Sequence, residues 1–405
     1  MPLRSIASAL QIFKDSVKPI TGTQQVPVMD ALGAVLAEDV LSTLNVPPEN
    51  CSAMDGYALN TGDLITGQRT TLNISQRVMA GYESQHLEPG TAVRLFTGSQ
   101  VPAGANAVVM QEECDIEADA VTFPASVAAG SNVRLQGQDI QQGSQVLHKG
   151  LKLQPQHLGL LASVGIANVT IYRPLKVAVL STGDELVNPG SALANGQIYN
   201  SNRFMMAGLI KQLGMELVDG GIVPDDFDVT KDKLSVAAAQ ADVVITSGGV
   251  SVGDADFVKP AVAELGELNL WKLAIKPGKP LAFGDINGTP FFGLPGNPVS
   301  VFVTFLILVK PYLRAMQGSP WVEPKCWQLP ANFERKRSSI RQQYLRVTVA
   351  KNAVGEQQVE TFNNQDSGVL RSTAYSDALA IVPANTIVKQ GDKLDVLLLD
   401  ELLNS

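Results

Sequence analysis

Cysteine and histidine are scarce, with three of each in 405 residues. Cys51, Cys114 and Cys326 lie far apart and form neither a CxxC pair nor a disulfide framework, which fits a reducing compartment and predicts a cytoplasmic location. Three scattered histidines argue against a zinc site. Charge is thin as well: 17% of residues are charged, below the roughly 25% of an average globular protein, which implies extensive burial. The net charge of −8, from 31 basic and 39 acidic side chains, argues against a nucleic-acid-coating surface. The most apolar window, VSVFVTFLILV at 299–309, is about half the length needed to span a bilayer and predicts a buried helix, with no membrane partner. The N-terminus, MPLRSIASALQIF, lacks an apolar core followed by a cleavage site, so no signal peptide is expected. Neither GxxxxGK[ST] nor GxGxxG occurs in the right context, which disfavours an ordinary P-loop or dinucleotide fold.

What is present is enough apolar material, 45% of residues, to fill about two to four cores. From 174 to 322, strand patterns such as LKVAVLSTG, MELVDGGIV and ADVVITSGG alternate with helical ones. SNRFMMAGLIKQLG has Ser201 as N-cap and Gly214 as stop, a second helix begins near Asp225-Asp226, and a third is DADFVKPAVAELG. This alternation predicts a three-layer α/β/α domain around a parallel sheet, with ligands at the carboxyl ends of its strands. Residues 44–140 have short β-like runs rich in glycine and proline and read as a small inserted β domain. Residues 1–43 and 141–173 hold helical patterns and form the two halves of a discontinuous linker domain around it. Residues 323–405 alternate apolar and polar and predict a compact, barrel-like β domain.

Three segments at the strand ends carry the candidate chemistry. TSGGVSVGDADF (246–257) joins an anion cradle, with Gly248, Gly249 and Ser251 as contacts, to Asp254 and Asp256. STGDEL places Glu185 after another strand end, and Asp225 follows a third. Each of these alone suits a surface turn. Together they put three carboxylates on one rim, a costly arrangement unless a cation or hydrogen-bond donors satisfy them, and oxygen-only ligands favour magnesium. WKLAIKPGKPLAF supplies Lys272, Lys276 and Lys279 in a loop stiffened by Pro277 and Gly278. GLPGNPVS adds a rigid loop with Pro295, Asn297 as N-cap and Pro298 in the first helical position, for which helix initiation alone is a sufficient reason. A phosphate cradle with carboxylates and lysines suits a polyanionic ligand bound with magnesium, such as a pyrophosphate linkage.

SAMDGYA, TG…VPAGANAVVMQE, GQDIQQG, STGDEL, NSNR, SGGVSVGDAD, WKLAIKPGKP and GLPGNPVS occur in the order that resembles the molybdopterin molybdenumtransferases, the bacterial MoeA proteins and the gephyrin C-terminal region. The resemblance covers essentially the whole chain and is most specific through residue 300. It implies an elongated four-domain subunit, a homodimer, and insertion of molybdenum from molybdate into adenylylated molybdopterin with release of AMP and help from magnesium. It also implies site residues. Asp55, Thr97 and Asp139 match on the inserted β domain, where turn chemistry alone would explain them. Glu185, Asp225, Asp256, Lys272 and Lys276 match on the α/β domain, with Pro295 and Pro298 shaping the cleft. Arg346 (in YLRV) and Ser367 (in QDSG) match in the C-terminal domain. Gln138 departs from the pattern, where an acidic residue often precedes the aspartate. Transient contact with other cofactor-biosynthesis proteins is a further expectation.

Three rival readings stand beside this one. A molybdopterin adenylyltransferase would resemble only the central α/β unit. A non-catalytic scaffold related to gephyrin would call for an adjoining domain or long linker. Tungstate in place of molybdate stays open.

Overall fold

The structure, a computed structural model, describes residues 3–250 and 256–404. Ser251, Gly253 and Asp254 of the expected cradle lie outside the described residues.

Buried β-branched runs place the strands Lys176–Thr182, Glu216–Val223, Val243–Ser247 and Thr289–Leu294 side by side and parallel. The sheet has six strands, however, and it is mixed. Pro280–Ile286 and Leu268–Lys272 continue it antiparallel, so the expected all-parallel sheet holds for four strands only. The cause is local. Asn287 (φ 52°) and Gly288 (φ 84°) make a two-residue turn with both φ positive, which returns the chain at once as a hairpin.

The helices Ser201–Gln212, Phe227–Gln240 and Val258–Leu265 cover this sheet. Two of their starts differ from expectation. Asn200, not Ser201, is the N-cap of the first, its side chain accepting from the Arg203 N–H. The third begins at Val258, two residues beyond Asp256, which therefore neither sits inside the helix nor caps it. Pro260 accounts for this: proline is tolerated in a first turn but not in a helix interior, so the start must lie just upstream of it.

The segment Pro298–Met316 forms one helix long and apolar enough to cross a membrane by length and composition. Its middle, Phe305–Val309, is a π-helical turn, and 89% of its most apolar 18-residue window is buried in the protein. It packs into the largest core, where Phe13 meets the rings of Phe283 (4.6 Å), Phe292 (5.3 Å), Trp271 (5.4 Å) and Tyr312 (6.0 Å). The helix Ile6–Ser16 thus packs on the central unit and not with the linker to which its sequence was assigned. The C-terminal helix Leu399–Asn404 also returns to this core through Leu399 and Leu402.

Residues between Val28 and Val40 share a separate core with residues between Leu147 and Ile171. Between these two segments, a six-stranded sheet runs in the order 107–110, 56–59, 91–95, 70–78, 120–123, 115–117. In the C-terminal part, strands 327–330, 393–398, 378–382, 342–351 and 357–361 pair in that order, and a bridge from Ala331 to Val359 joins the two ends. The short strand Ile275–Lys276 of the central unit pairs with Gln342–Gln343, which brings the two units edge to edge.

Candidate functional site

Where these units meet, a cleft of about 1270 Å³ opens at the carboxyl ends of the central strands. It is lined by Glu185, Asp225, Asp256, Gly248, Gly249, Lys276, Lys279, Pro295, Pro298, Arg346 and Ser367, all expected from the sequence. Asp55, Thr97, Asp139 and Lys272 do not line it. Lys272 lies on the edge strand Leu268–Lys272 with its side chain exposed.

The acidic wall comes from strand ends. Asp184 and Asp225 exchange bonds across adjacent turns: the Asp225 N–H donates to Asp184 Oδ1 (3.1 Å) and the Asp184 N–H to Asp225 Oδ2 (3.4 Å). Gly183, at φ 138°, leaves room for the Glu185 carboxylate, which folds back to within 2.2 Å of where a Cβ would stand. Gly248 and Gly249 (φ 92° and 69°) pack against Thr182 Oγ1, which would come within 2.9 Å of a Cβ at either position. The expected backbone cradle is altered at its first glycine, because the Gly248 N–H is used by the Leu294 carbonyl at 3.1 Å.

The basic wall comes from the 276–279 loop and the C-terminal unit. Gly278, at φ 107°, is required there, since a Cβ would meet Thr304 Oγ1 at 2.4 Å. Arg346 is 1% exposed. Its Nε donates to Ser372 Oγ and its Nη2 to the Asp366 carbonyl, each at 3.0 Å. Burial lowers its pKa to about 10, opposed by Asp366, so it remains cationic at neutral pH. Ser367 stitches the two units together. Its hydroxyl accepts from Asn297 Nδ2 (3.0 Å) and its carbonyl from the Val299 N–H (3.1 Å). The side chain expected to cap the helix from Asn297 is thus spent across the cleft, and a carbonyl from the other unit satisfies the helix start.

Lys276, Lys279, Arg335, Arg341 and Arg346 face Glu185, Asp225, Asp256 and Asp366 in one cleft. The sequence reading missed Asn200, Asn202, Arg335, Arg341 and Gln343 in this lining. In the sequence NSNR stands out only as part of a motif pattern, and the Arg-rich run 335–341 has no periodic signal. Eight buried side-chain polar atoms lack a partner among the described residues, and five of them belong to cleft residues: Thr182, Asn200, Asn202, Arg335 and Gln343. Buried polar groups are normally paired, and these atoms, with almost no exposed surface, lie within the lining of the cleft and not on its open face.

The carboxylates do not make a ready metal cage. Among the described residues, no three His, Cys, Asp or Glu side chains are grouped to hold an ion. The three-carboxylate metal set of Glu185, Asp225 and Asp256 is therefore not preassembled; Asp225 is tied to Asp184 and Glu185 folds over Gly183.

On the inserted sheet, Asp55 Oδ1 accepts from the Thr97 N–H and from Thr97 Oγ1, both at 2.8 Å. These bonds hold the Asp55 carboxyl below the usual range. Asp139 is exposed in a turn where its N–H bonds the Val46 carbonyl at 3.0 Å.

The family descriptions matching the chain are the MoeA N-terminal region, domains I and II, over residues 4–165, a probable molybdopterin binding domain over 178–315, and the MoeA C-terminal region, domain IV, over 328–399. A molybdopterin molybdenumtransferase of Haemophilus influenzae is 41% identical over 89% of this chain and 90% of its own. One from Nostoc sp. is 35% identical over 98% and 94%. The crystal structure of the molybdopterin biosynthesis MoeA protein of Pyrococcus horikoshii OT3 superposes with a TM-score of 0.84 at 29% identity, over 98% of this chain and 100% of that one. Full-length similarity across all three regions places the chain in the molybdopterin molybdenumtransferase family of molybdenum cofactor biosynthesis, as a transferase.

Proposed function

We propose that the cleft binds adenylylated molybdopterin and molybdate together and that the protein inserts molybdenum with release of AMP. The observation that carries this is the divided charge of the cleft, with five cationic side chains meeting four carboxylates. Two anionic substrates repel each other, and Lys276, Lys279 and Arg346 offset that repulsion while Ser367 donates or accepts a hydrogen bond beside Arg346. Pro295 and Pro298 stiffen the loop that forms the floor. The dithiolene sulfurs of the pterin are the soft ligands for molybdenum, so the protein needs no cysteine cluster of its own.

The donor set also fits magnesium. Glu185, Asp225 and Asp256 offer oxygen only, and magnesium usually keeps waters and binds through one or two carboxylates plus phosphate oxygens, so no all-protein cage is required. Bound there, magnesium would neutralise charge on the pyrophosphate. Asp256 and Asp225 hold acceptors toward that position, and Gly249 lets the backbone come close. Asp55, Thr97 and Asp139 enter from the inserted domain of a second subunit, which makes the working unit a homodimer; the reaction belongs in the cytoplasm, beside the other cofactor-biosynthesis proteins.

The test supplies purified protein with adenylylated molybdopterin, magnesium and molybdate and follows AMP. AMP release that depends on molybdate supports the reading. Consumption of ATP with pyrophosphate release would support an adenylyltransferase instead, and neither reaction would leave the scaffold.

A further inference from the structure

The loop 362–368, between the strand Gln357–Thr361 and the short helix Arg371–Ala374, carries an amide that the function above does not use. The strand Gln357–Thr361 pairs with Gln342–Lys351 as far as Thr361 opposite Val347, and the Phe362 N–H still reaches the Arg346 carbonyl at 3.1 Å. The chain then turns away, which would leave the Arg346 N–H without a backbone partner on that edge. The Gln365 side chain takes the place of the missing peptide. Its Oε1 accepts from the Arg346 N–H at 3.0 Å, and its Nε2 donates to the carbonyls of Arg346 (2.8 Å) and Phe362 (3.0 Å). These partners fix which end of the amide is which, and they use both of its donor hydrogens. The next two residues carry the grip outward. The Asp366 carbonyl takes Arg346 Nη2, and Ser367 crosses to the central unit through Asn297 and Val299. Three consecutive residues thus tie together the strand backbone, the Arg346 side chain and the opposite wall of the cleft.

We propose that Gln365 is a positioning residue for the reaction: its amide clamps the 362–368 loop to the strand edge and so fixes where the Ser367 hydroxyl stands in the cleft. This role deepens the reading of the cleft as the place of molybdenum insertion and rests on it. The amide is spent on backbone groups, so Gln365 acts through Ser367 and not on the substrate. The Ser367 hydroxyl accepts from Asn297 Nδ2, which leaves its own hydrogen for an acceptor in the cleft. Ser367 lies two residues from the clamp, and its placement depends on the loop holding its course. A displacement of about 1 Å in a positioned contact can cost on the order of 100-fold in rate.

A double-mutant cycle on the full-length protein, read as initial rates of molybdate-dependent AMP release, tests this. Gln365→Met keeps the length and deletes all three bonds, and is expected to lower kcat/KM about tenfold. Ser367→Ala is expected to lower it by about as much. Adding Gln365→Met to Ser367→Ala should cost less than about twofold more, because the clamp then has no hydroxyl left to place. Gln365→Glu keeps an acceptor for the Arg346 N–H but turns an oxygen toward the two carbonyls. It is expected to lose more than the Met variant, and the same cycle is read with it where that variant fails to fold. Losses that multiply in the double variant, or folded Gln365 variants that turn over as wild type does, overturn the clamp and leave the wider function standing. Failure of both Gln365 variants to fold also overturns it, since the amide would then serve the fold alone. A wild-type protein without molybdate-dependent AMP release sinks the clamp and the reading of the cleft together.

Discussion

The central cleft and the Asp55 turn of the inserted domain both carry residues expected at the reaction centre, but they differ in how their polar groups are satisfied. In the cleft, five residues hold buried polar atoms with no partner among the described residues, and charges of both signs face one space. In the turn, Asp55 Oδ1 already has two donors from Thr97, and neither residue reaches the cleft of its own chain. A cleft lined by charges of both signs is built to be completed by a ligand. A satisfied, ionised carboxylate is built to be presented, held rigid, to something that arrives. The two regions thus suit the two halves of the two-subunit site proposed above.

The largest effect is expected on the cleft side. Asp256→Asn should lower molybdate-dependent AMP release about 100-fold, the scale of losing one preorganised electrostatic contact, while adenylylated molybdopterin still binds. Asp256 does not cap the following helix, so the change removes no helix cap. A variant with lowered melting temperature and normal turnover would assign Asp256 to structure. The comparison itself breaks or stands on mixing. Asp55→Ala and Asp256→Ala proteins, each inactive, should recover roughly half of the wild-type rate per heterodimer, because one of two symmetric sites receives both native residues. Background activity from confirmed heterodimers would place the whole site within one chain.

Within the central domain, Lys276 and Lys272 give a sharper contrast. Lys276 lines the cleft and Lys272 does not. Lys276→Gln removes a charge-assisted contact of about 1.5–3 kcal/mol and should lower turnover at limiting molybdate by one to two decades. Lys272→Gln should change it less, and only if another subunit covers that edge. Equal losses in both would mean that the cleft is not the anion site.

The divided charge of the cleft was legible because its carboxylates and lysines sit where strands end, and the alternation of strand and helix announced those ends. Two things were not legible. Asn297 has the sequence of a helix cap, but its amide is drawn to Ser367, 70 residues away, a partner that no local pattern encodes. Gln343 and Arg335 look like ordinary strand and loop residues; their place in the cleft lining comes from the pairing of Ile275–Lys276 with Gln342–Gln343 across two units. The hairpin at Asn287-Gly288 is written in its dipeptide, a local turn signal that runs against the βα alternation around it and makes the sheet mixed. Pro260 likewise held the information that Asp256 lies outside its helix.

The smallest expected effect tests the other side of the comparison, the self-satisfied turn. The Asp55 carboxyl is held below its ordinary value first by the Thr97 backbone N–H and second by the Thr97 hydroxyl. Thr97→Val deletes only the hydroxyl contact and leaves the larger one. A carboxyl 13C titration should therefore show the Asp55 midpoint rising in the variant while staying below 3.8, its ordinary value. The sign for stability follows. A depressed folded-state pKa gives stabilisation that is present above the unfolded value and lost as pH falls through the folded one. Wild type and variant should therefore differ in melting temperature near neutral pH and converge in acid. An unmoved midpoint would show that the hydroxyl does not bond Asp55 in solution. A midpoint at or above 3.8 would show that the turn is not held by its backbone, and Asp55 would then resemble the open residues of the cleft more than a rigid carboxylate presented to a partner.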